Sequence, residues 1–169
     1  MIQSTKFLPT RPLTKTDDRK SFDCGVDSLN RYLSQYALQN QKKDAARTYV
    51  VVRGDGKIAG YYTLVYGSVT VGETPHDISA GHGKYPVPII LIARLAVSVD
   101  ERGIGLGRSL VRDALIRSAG AASIAGLSAV VVDAKDAVAK AFYEKMGFVP
   151  GPDNEFQMFL KMSEIRDLL

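Results

Sequence analysis

Apolar positions along this chain repeat first with a helical period, then with that of strands, and then alternate between the two. Residues 1–21 mix Lys, Arg, Pro and Thr with isolated apolar positions and read as a strand or an extended arm. Phe22-Asp23-Cys24-Gly25-Val26-Asp27-Ser28 breaks the chain, with Asp27 or Ser28 placed to cap a helix. Leu29, Tyr32, Leu33, Tyr36 and Ala37 then recur at the spacing of one helical face. Thr48–Arg53 and Lys57–Tyr66 are rich in β-branched and aromatic residues on either side of Gly54-Asp55-Gly56, a hairpin signal. Gly67–Lys84 holds four glycines, a proline and both histidines with little periodicity, so it reads as a loop with room for a short helix. A loop of that length is unusual inside a compact domain and hints at function.

The second half is more regular. Val87–Val99 is the most apolar stretch, bounded by Pro86 and Pro88 before and Asp100-Glu101 after, and predicts a buried central strand. After a glycine-rich turn, Leu106, Leu110, Ala114 and Leu115 mark one face of a helix to about Ala121. Leu127–Val132 predicts a second buried strand, Asp136–Met146 a helix closed by Gly147, and Phe156–Met162 a last strand. No linker, repeat or low-complexity segment interrupts this order, so the expectation is one α/β domain over residues 1–169.

The turn between the central strand and its helix carries the first chemistry. In Arg102-Gly103-Ile104-Gly105-Leu106-Gly107-Arg108 the glycines allow close backbone approach and positive φ. The N–H groups at the following helix start, aided by its dipole, make a phosphate site. A plain flexible turn is the alternative. The alternating glycines do not fit Gly-x-Gly-x-x-Gly, and no Gly-Lys-Ser or Gly-Lys-Thr follows, which excludes a dinucleotide fingerprint and a P-loop.

Composition narrows the classes further. The single cysteine excludes a disulfide framework, and two histidines leave little for a metal, so no metal site is expected. No apolar run reaches the roughly 18 residues of a membrane helix, and the first 16 residues lack a signal peptide's apolar stretch; the expected location is cytoplasmic. Of 22 Lys/Arg against 18 Asp/Glu, the whole excess of four falls in residues 1–50. That excess suits either an ordinary soluble surface or a polyanionic partner.

Arg102-x-x-Gly105-x-Gly107 after an apolar strand, with Ala141-Phe142-Tyr143-x-x-x-Gly147-Phe148 downstream, resembles the GNAT N-acetyltransferase superfamily. A wider likeness runs through Phe22-Asp23-Cys24-Gly25, Leu29-Asn30-x-Tyr32-Leu33, Gly60-Tyr61-Tyr62, Arg94-Leu95-Ala96-Val97 and Val132-Asp133-Ala134-Lys135. These segments are similar to bacterial GNAT toxins of type II toxin–antitoxin pairs. The resemblance implies the GNAT α/β fold, a mixed central sheet with a splayed pair of parallel strands flanked by helices. It also implies acetyl-CoA as acyl donor, an aminoacyl-tRNA amine as acceptor, blocked translation, a homodimer and a ribbon-helix-helix antitoxin.

By that resemblance, Leu95, Ala96 and Val97 offer backbone groups to the pantetheine arm. Gly103, Ile104, Gly105, Leu106, Gly107 and Arg108 take the diphosphate, with Arg102 and Arg108 adding charge-assisted contacts. For Arg102 the alternative is a surface ion pair with Glu101 or a neighbour. Tyr143, with an ordinary phenol pKa of about 10, would give a proton to the leaving thiolate; otherwise it is core filling. The central strand has no Asp or Glu from Val87 to Val99, which leaves the base unassigned. An α-amine, with an ordinary pKa of about 8 against about 10 for lysine, needs less help to be neutral. Arg94 either meets phosphate at the mouth of the site or pairs with a buried carboxylate. Lys42, Lys43 and Arg47, and less directly Lys135 and Lys140, are candidate tRNA contacts as a group, although each alone reads as a solvated charge. The alternative functions are acetylation of a peptide N-terminus or small amine, or a non-catalytic CoA-binding module.

Overall fold

The computed structural model describes residues 6–169. The expected arm over residues 1–21 contains a short strand, β1 (Arg11–Pro12), with residues 1–5 outside the described part. A helical segment follows as α1 (Asp27–Arg31), a π-helical turn over Tyr32–Tyr36, and α2 (Ala37–Lys42). Neither expected cap residue caps it. Val26 holds the N-cap position without a side-chain hydrogen bond, because its carbonyl accepts the first helical N–H groups, from Leu29 at 3.1 Å and Asn30 at 3.0 Å. Asp27 falls inside the first turn, where a carboxylate complements the dipole. The π turn was not legible from spacing, since its apolar residues keep the helical order.

The hairpin forms as expected from β2 (Arg47–Val52) and β3 (Ile58–Val69), antiparallel, with a bulge between Val51 and Val52. The expected loop holds the end of β3, a 3₁₀ turn at Val71–Glu73 and the short α3 (His76–Ser79). His82 spans Ser79 O and Ser128 Oγ at 3.2 and 2.9 Å, a structural contact. Next comes β4 (Val87–Val97), which ends two residues before the expected boundary. Ser98 stops it by accepting the Asp100 N–H and opening a 3₁₀ turn at Val99–Glu101. Then follow α4 (Leu106–Ala122), β5 (Ala129–Asp133), α5 (Ala137–Lys145), β6 (Val149–Pro150), β7 (Gln157–Lys161) and α6 (Met162–Leu168). Asp136 caps α5 through the Ala139 N–H at 2.8 Å, and Gly147 closes it at φ +101°. The sequence reading missed β6 and α6. The first is two residues long, and the second buries only Met162 and Ile165, too short a pattern to register.

The strand order is β1-β2-β3-β4-β5-β7-β6. The β4–β5 ladder is parallel, while the β1–β2, β2–β3, β5–β7 and β6–β7 ladders are antiparallel, so the sheet is mixed, as expected. The chain divides into two compact units. One comprises the described chain up to Val65 with Arg94–Asp113, the other Tyr66–Ala93 with Ala114–Leu169. In the first, Leu13, Phe22, Leu33, Val50, Ile58, Tyr61 and Ala96 pack one core. In the second, Val69, Ile78, Val87, Ile89, Val131 and Phe159 pack another.

A buried carboxylate fixes the start of the glycine loop in the first unit. Glu101 is 2% exposed and pairs with Arg53 at 3.1 Å and Lys6 at 3.0 Å. Burial raises its carboxyl pKa, but the hydrogen bonds and charges of Lys6 and Arg53 outweigh that, and the net shift is downward. Such a group stabilises the fold above the ordinary carboxylate range and ceases to as pH falls through its lowered value. Glu101→Gln is therefore expected to cost roughly 1–2 kcal/mol at pH 7, less than a fully buried pair because Lys6 is half exposed. Urea midpoints measured at pH 7 and at acid pH check this: the difference between wild type and variant should shrink on acidification.

Candidate active site

The parallel ladder creates the first feature. Its register runs from Ile89↔Ala129 to Ile92↔Val132. β5 ends at Asp133, whereas β4 continues to Val97, so Leu95, Ala96 and Val97 have no β5 partner. An extended backbone that outruns its neighbour presents N–H and C=O groups to an amide-bearing ligand. Behind this stretch Gly60 is forced. A Cβ there would lie 2.9 Å from Leu110 Cδ1 and 3.0 Å from Ala96 O, so a side chain would push β4 or α4 out of place.

The loop leads directly from this strand into α4. Gly103 and Gly105 hold φ of +79° and +81°, and a Cβ on either would meet nothing within 4 Å. The glycines thus serve the left-handed backbone and an open face, not tight internal packing. The Ser109 N–H donates to Gly105 O at 3.1 Å as the first bond of the helix. The amides of Leu106, Gly107 and Arg108 therefore belong to the first turn, where an α-helix leaves its donors without intrahelical partners. Arg108 and Ile104 are exposed beside them. Positive φ, open space, first-turn amides and flanking arginines fit a diphosphate. Arg102 departs from the simple ion-pair alternative: its Nη2 donates to Cys24 O at 2.8 Å, while Glu101 pairs elsewhere.

Arg94 is half-buried near the C-terminal end of β4, with its guanidinium 4.4 Å from the centroid of the Tyr32 ring. That cation–π contact was in neither sequence alternative, because it needs the helix and strand brought together. Lys42 and Lys43 end α2, where they complement its dipole, and Arg47 pairs with Asp44 at 2.8 Å. All of these belong to the first unit.

Tyr143 lies in the second unit, on α5. Its ring makes edge contacts with Phe142 and Phe148 at 5.1 and 5.5 Å. Burial alone pushes its phenol up to about 12, so it remains a proton donor at neutral pH. Lys140 on the same helix pairs with Glu155 at 3.2 Å, whereas Lys135 is exposed. Among the described residues no group of three His, Cys, Asp or Glu is placed to hold a metal.

A strand that outruns its parallel neighbour, a glycine loop and a helix opening in first-turn amides are features that suit an acyl-CoA-type transferase. Residues 44–150 match the acetyltransferase (GNAT) domain, and the chain belongs to that family. It is 38% identical over 163 residues to a tRNA-acetylating toxin of Mycobacterium tuberculosis, covering 96% of this chain and 97% of that protein. It is 31% identical over 163 residues to the probable toxin TacT of Sinorhizobium fredii, covering 90% and 89%. Among solved structures, a tyrosine-to-phenylalanine variant of KacT superposes with a TM-score of 0.90 at 26% identity, covering 97% and 99% of the two chains. AtaT complexed with acetyl-methionyl-tRNAfMet superposes with a TM-score of 0.88 at 26% identity, covering 95% and 98%.

Proposed function

We propose that this chain transfers an acetyl group from acetyl-CoA to the α-amine of an aminoacyl-tRNA, acting as a toxin that blocks translation. The observation that carries the transferase reading is the run of Leu95–Val97 beyond β5, leading straight into the open glycine loop. The acceptor rests on likeness to a tRNA-acetylating protein over nearly the whole chain. For that reason all of residues 1–169, rather than either unit, is taken as the catalytic domain.

Acetyl-CoA supplies an acyl group activated as a thioester. In this chain Leu95, Ala96 and Val97 would bind its amide arm, and Gly103–Arg108 with Arg102 its diphosphate. A carbon–nitrogen bond forms as the carbon–sulfur bond breaks, and Tyr143 gives its phenolic proton to the departing sulfur. The proton lost by the amine passes to solvent, which the low pKa of an α-amine beside an ester permits without a side-chain base. Arg94, Lys42, Lys43, Arg47, Lys135 and Lys140 are proposed to face the acceptor's phosphates. Arg47 and Lys140 already carry acidic partners, so Lys42 and Lys43 should dominate.

One solved relative is AtaT bound to the C-terminus of its antitoxin AtaR and to acetyl-CoA. By analogy, this chain is proposed to act in the cytoplasm as a homodimer restrained by a ribbon-helix-helix antitoxin. Among the described residues no helix is long and apolar enough to cross a membrane.

Incubation with labelled acetyl-CoA and a pool of charged and uncharged tRNA tests the reading. Label on charged tRNA alone supports it; label on protein or small amines instead rejects the acceptor, and no transfer to any amine rejects the enzyme. Reversing both charges in Lys42→Glu/Lys43→Glu is expected to weaken tRNA binding and lower the slope of log affinity against log salt by about 1–2. Binding measured across a salt series checks this, and an unchanged slope would remove the two lysines from the interface.

A further inference from the structure

Arg102 opens the glycine loop, yet its guanidinium reaches back 78 residues to the Cys24 carbonyl. That carbonyl belongs to a turn built by side chains. The Cys24 N–H donates to Asn30 Oδ1 at 2.9 Å, and the Gly25 N–H to Asp23 Oδ1 at 2.8 Å. Asn30 Nδ2 donates to the same Asp23 oxygen at 3.0 Å. The Asp23 carbonyl in turn accepts the Val99 N–H at 2.9 Å, which ties the turn to the chain just before the loop. Gly25 sits at φ +85°, and a Cβ there would lie 2.6 Å from Arg102 Nη2, so only glycine lets the guanidinium close on the turn. The Gly25 N–H, then Asn30, hold the Asp23 carboxyl below its usual range, with the Arg102 charge adding to the effect.

We propose that Asn30 is a positioning residue for coenzyme binding: with Asp23 it fixes the Cys24–Gly25 turn, and the turn fixes the Arg102 guanidinium beside the diphosphate loop. The proposal rests on the reading of that loop given above. A long arginine side chain loses rotamer freedom when it meets a phosphate, and a carbonyl already holding one edge of it removes part of that cost. The link gives Arg102 two roles, anchor to the turn and charge for the ligand.

Titration calorimetry with CoA on wild type, Asn30→Ala, Arg102→Ala, the double variant and Gly105→Val tests it. Asn30→Ala is expected to weaken CoA about 5-fold, with kcat at saturating acetyl-CoA within about 2-fold of wild type. Arg102→Ala should weaken CoA about 10-fold, and the double variant no further, because Asn30 acts only through Arg102. A residue that merely supports the fold would lower the urea midpoint and leave CoA affinity alone. Should Asn30→Ala fail to fold, Gly25→Ala, which crowds the guanidinium and spares Asn30, should reproduce the weakening only while Arg102 is present. Unchanged affinity, or losses that multiply in the double variant, would overturn the proposal. If Gly105→Val abolishes binding while Asn30→Ala does not alter it, only the positioning role falls. If Gly105→Val binds as wild type does, the loop reading itself falls, and the proposal with it.

Discussion

Tyr143→Phe is expected to lower kcat by about 100-fold or more while leaving the KM for acetyl-CoA within a few-fold, the range typical of losing a positioned general acid. The substitution is conservative for the fold. Phe142 and Phe148 make T-shaped contacts with the ring, at centroid distances of 5.1 and 5.5 Å, and phenylalanine keeps that ring. Only the hydroxyl is lost. Its pKa, raised to about 12 by burial, also shapes the pH profile. A phenol that holds its proton this firmly stays the competent acid through the whole neutral and mildly alkaline range. The rate should therefore rise with pH as the acceptor amine loses its proton, and Tyr143 should impose no fall until pH approaches 12. Single-turnover rates between pH 6 and 10 check both parts. An unchanged rate in the phenylalanine variant, or an alkaline fall near pH 9 that the variant abolishes, would remove Tyr143 from the chemistry.

Gly105→Val is the second change with a large expected effect. At φ +81° a β-branched residue is strained by about 1–3 kcal/mol, and the strain falls where the loop becomes the helix. The added Cβ would meet no other part of the protein within 4 Å. The methyl groups it carries would instead occupy the open face assigned to the diphosphate. CoA affinity is expected to fall by about 100-fold or more, equivalent to about 3 kcal/mol. Gly105→Ala should show a smaller loss of the same kind. Calorimetric titration and a thermal melt separate the two terms: strain lowers Tm without ligand, and obstruction removes the rise in Tm that the coenzyme otherwise produces. Wild-type affinity in the valine variant would reject the loop as the binding element.

Much of this arrangement is legible in the sequence. The hairpin around Gly54–Gly56, the apolar strand from Val87 and the α4 and α5 helices follow from period and turn chemistry, which are local properties. The Asp136 cap and the Gly147 stop were also written in residue type. What escaped was set by contacts between distant segments. Val26, not Asp27 or Ser28, takes the N-cap position of the first helix, because its carbonyl accepts the Leu29 and Asn30 N–H groups. Glu101 looked like one half of a polar strand end, yet it is buried between Arg53 and Lys6, 48 and 95 positions upstream. For Arg102 the sequence offers a phosphate contact or a surface ion pair with Glu101 or a neighbour, and its bond to the Cys24 carbonyl cannot be inferred from spacing. The stacking of Arg94 over Tyr32 likewise joins a strand and a helical segment far apart in the sequence, which hydrophobic periodicity does not register.

The length by which β4 exceeds its parallel neighbour carries a cost of its own. A bare ladder edge is a template for any other extended chain, and most proteins confine such edges to the rim, where bulges, prolines or charges discourage pairing. Here the stretch beyond the β5 ladder lies at the fourth of seven strands and carries Leu95, Ala96 and Val97, none of them charged. A bound pantetheine arm would act there as a surrogate strand, so the coenzyme would protect against self-association as well as supply the acyl group.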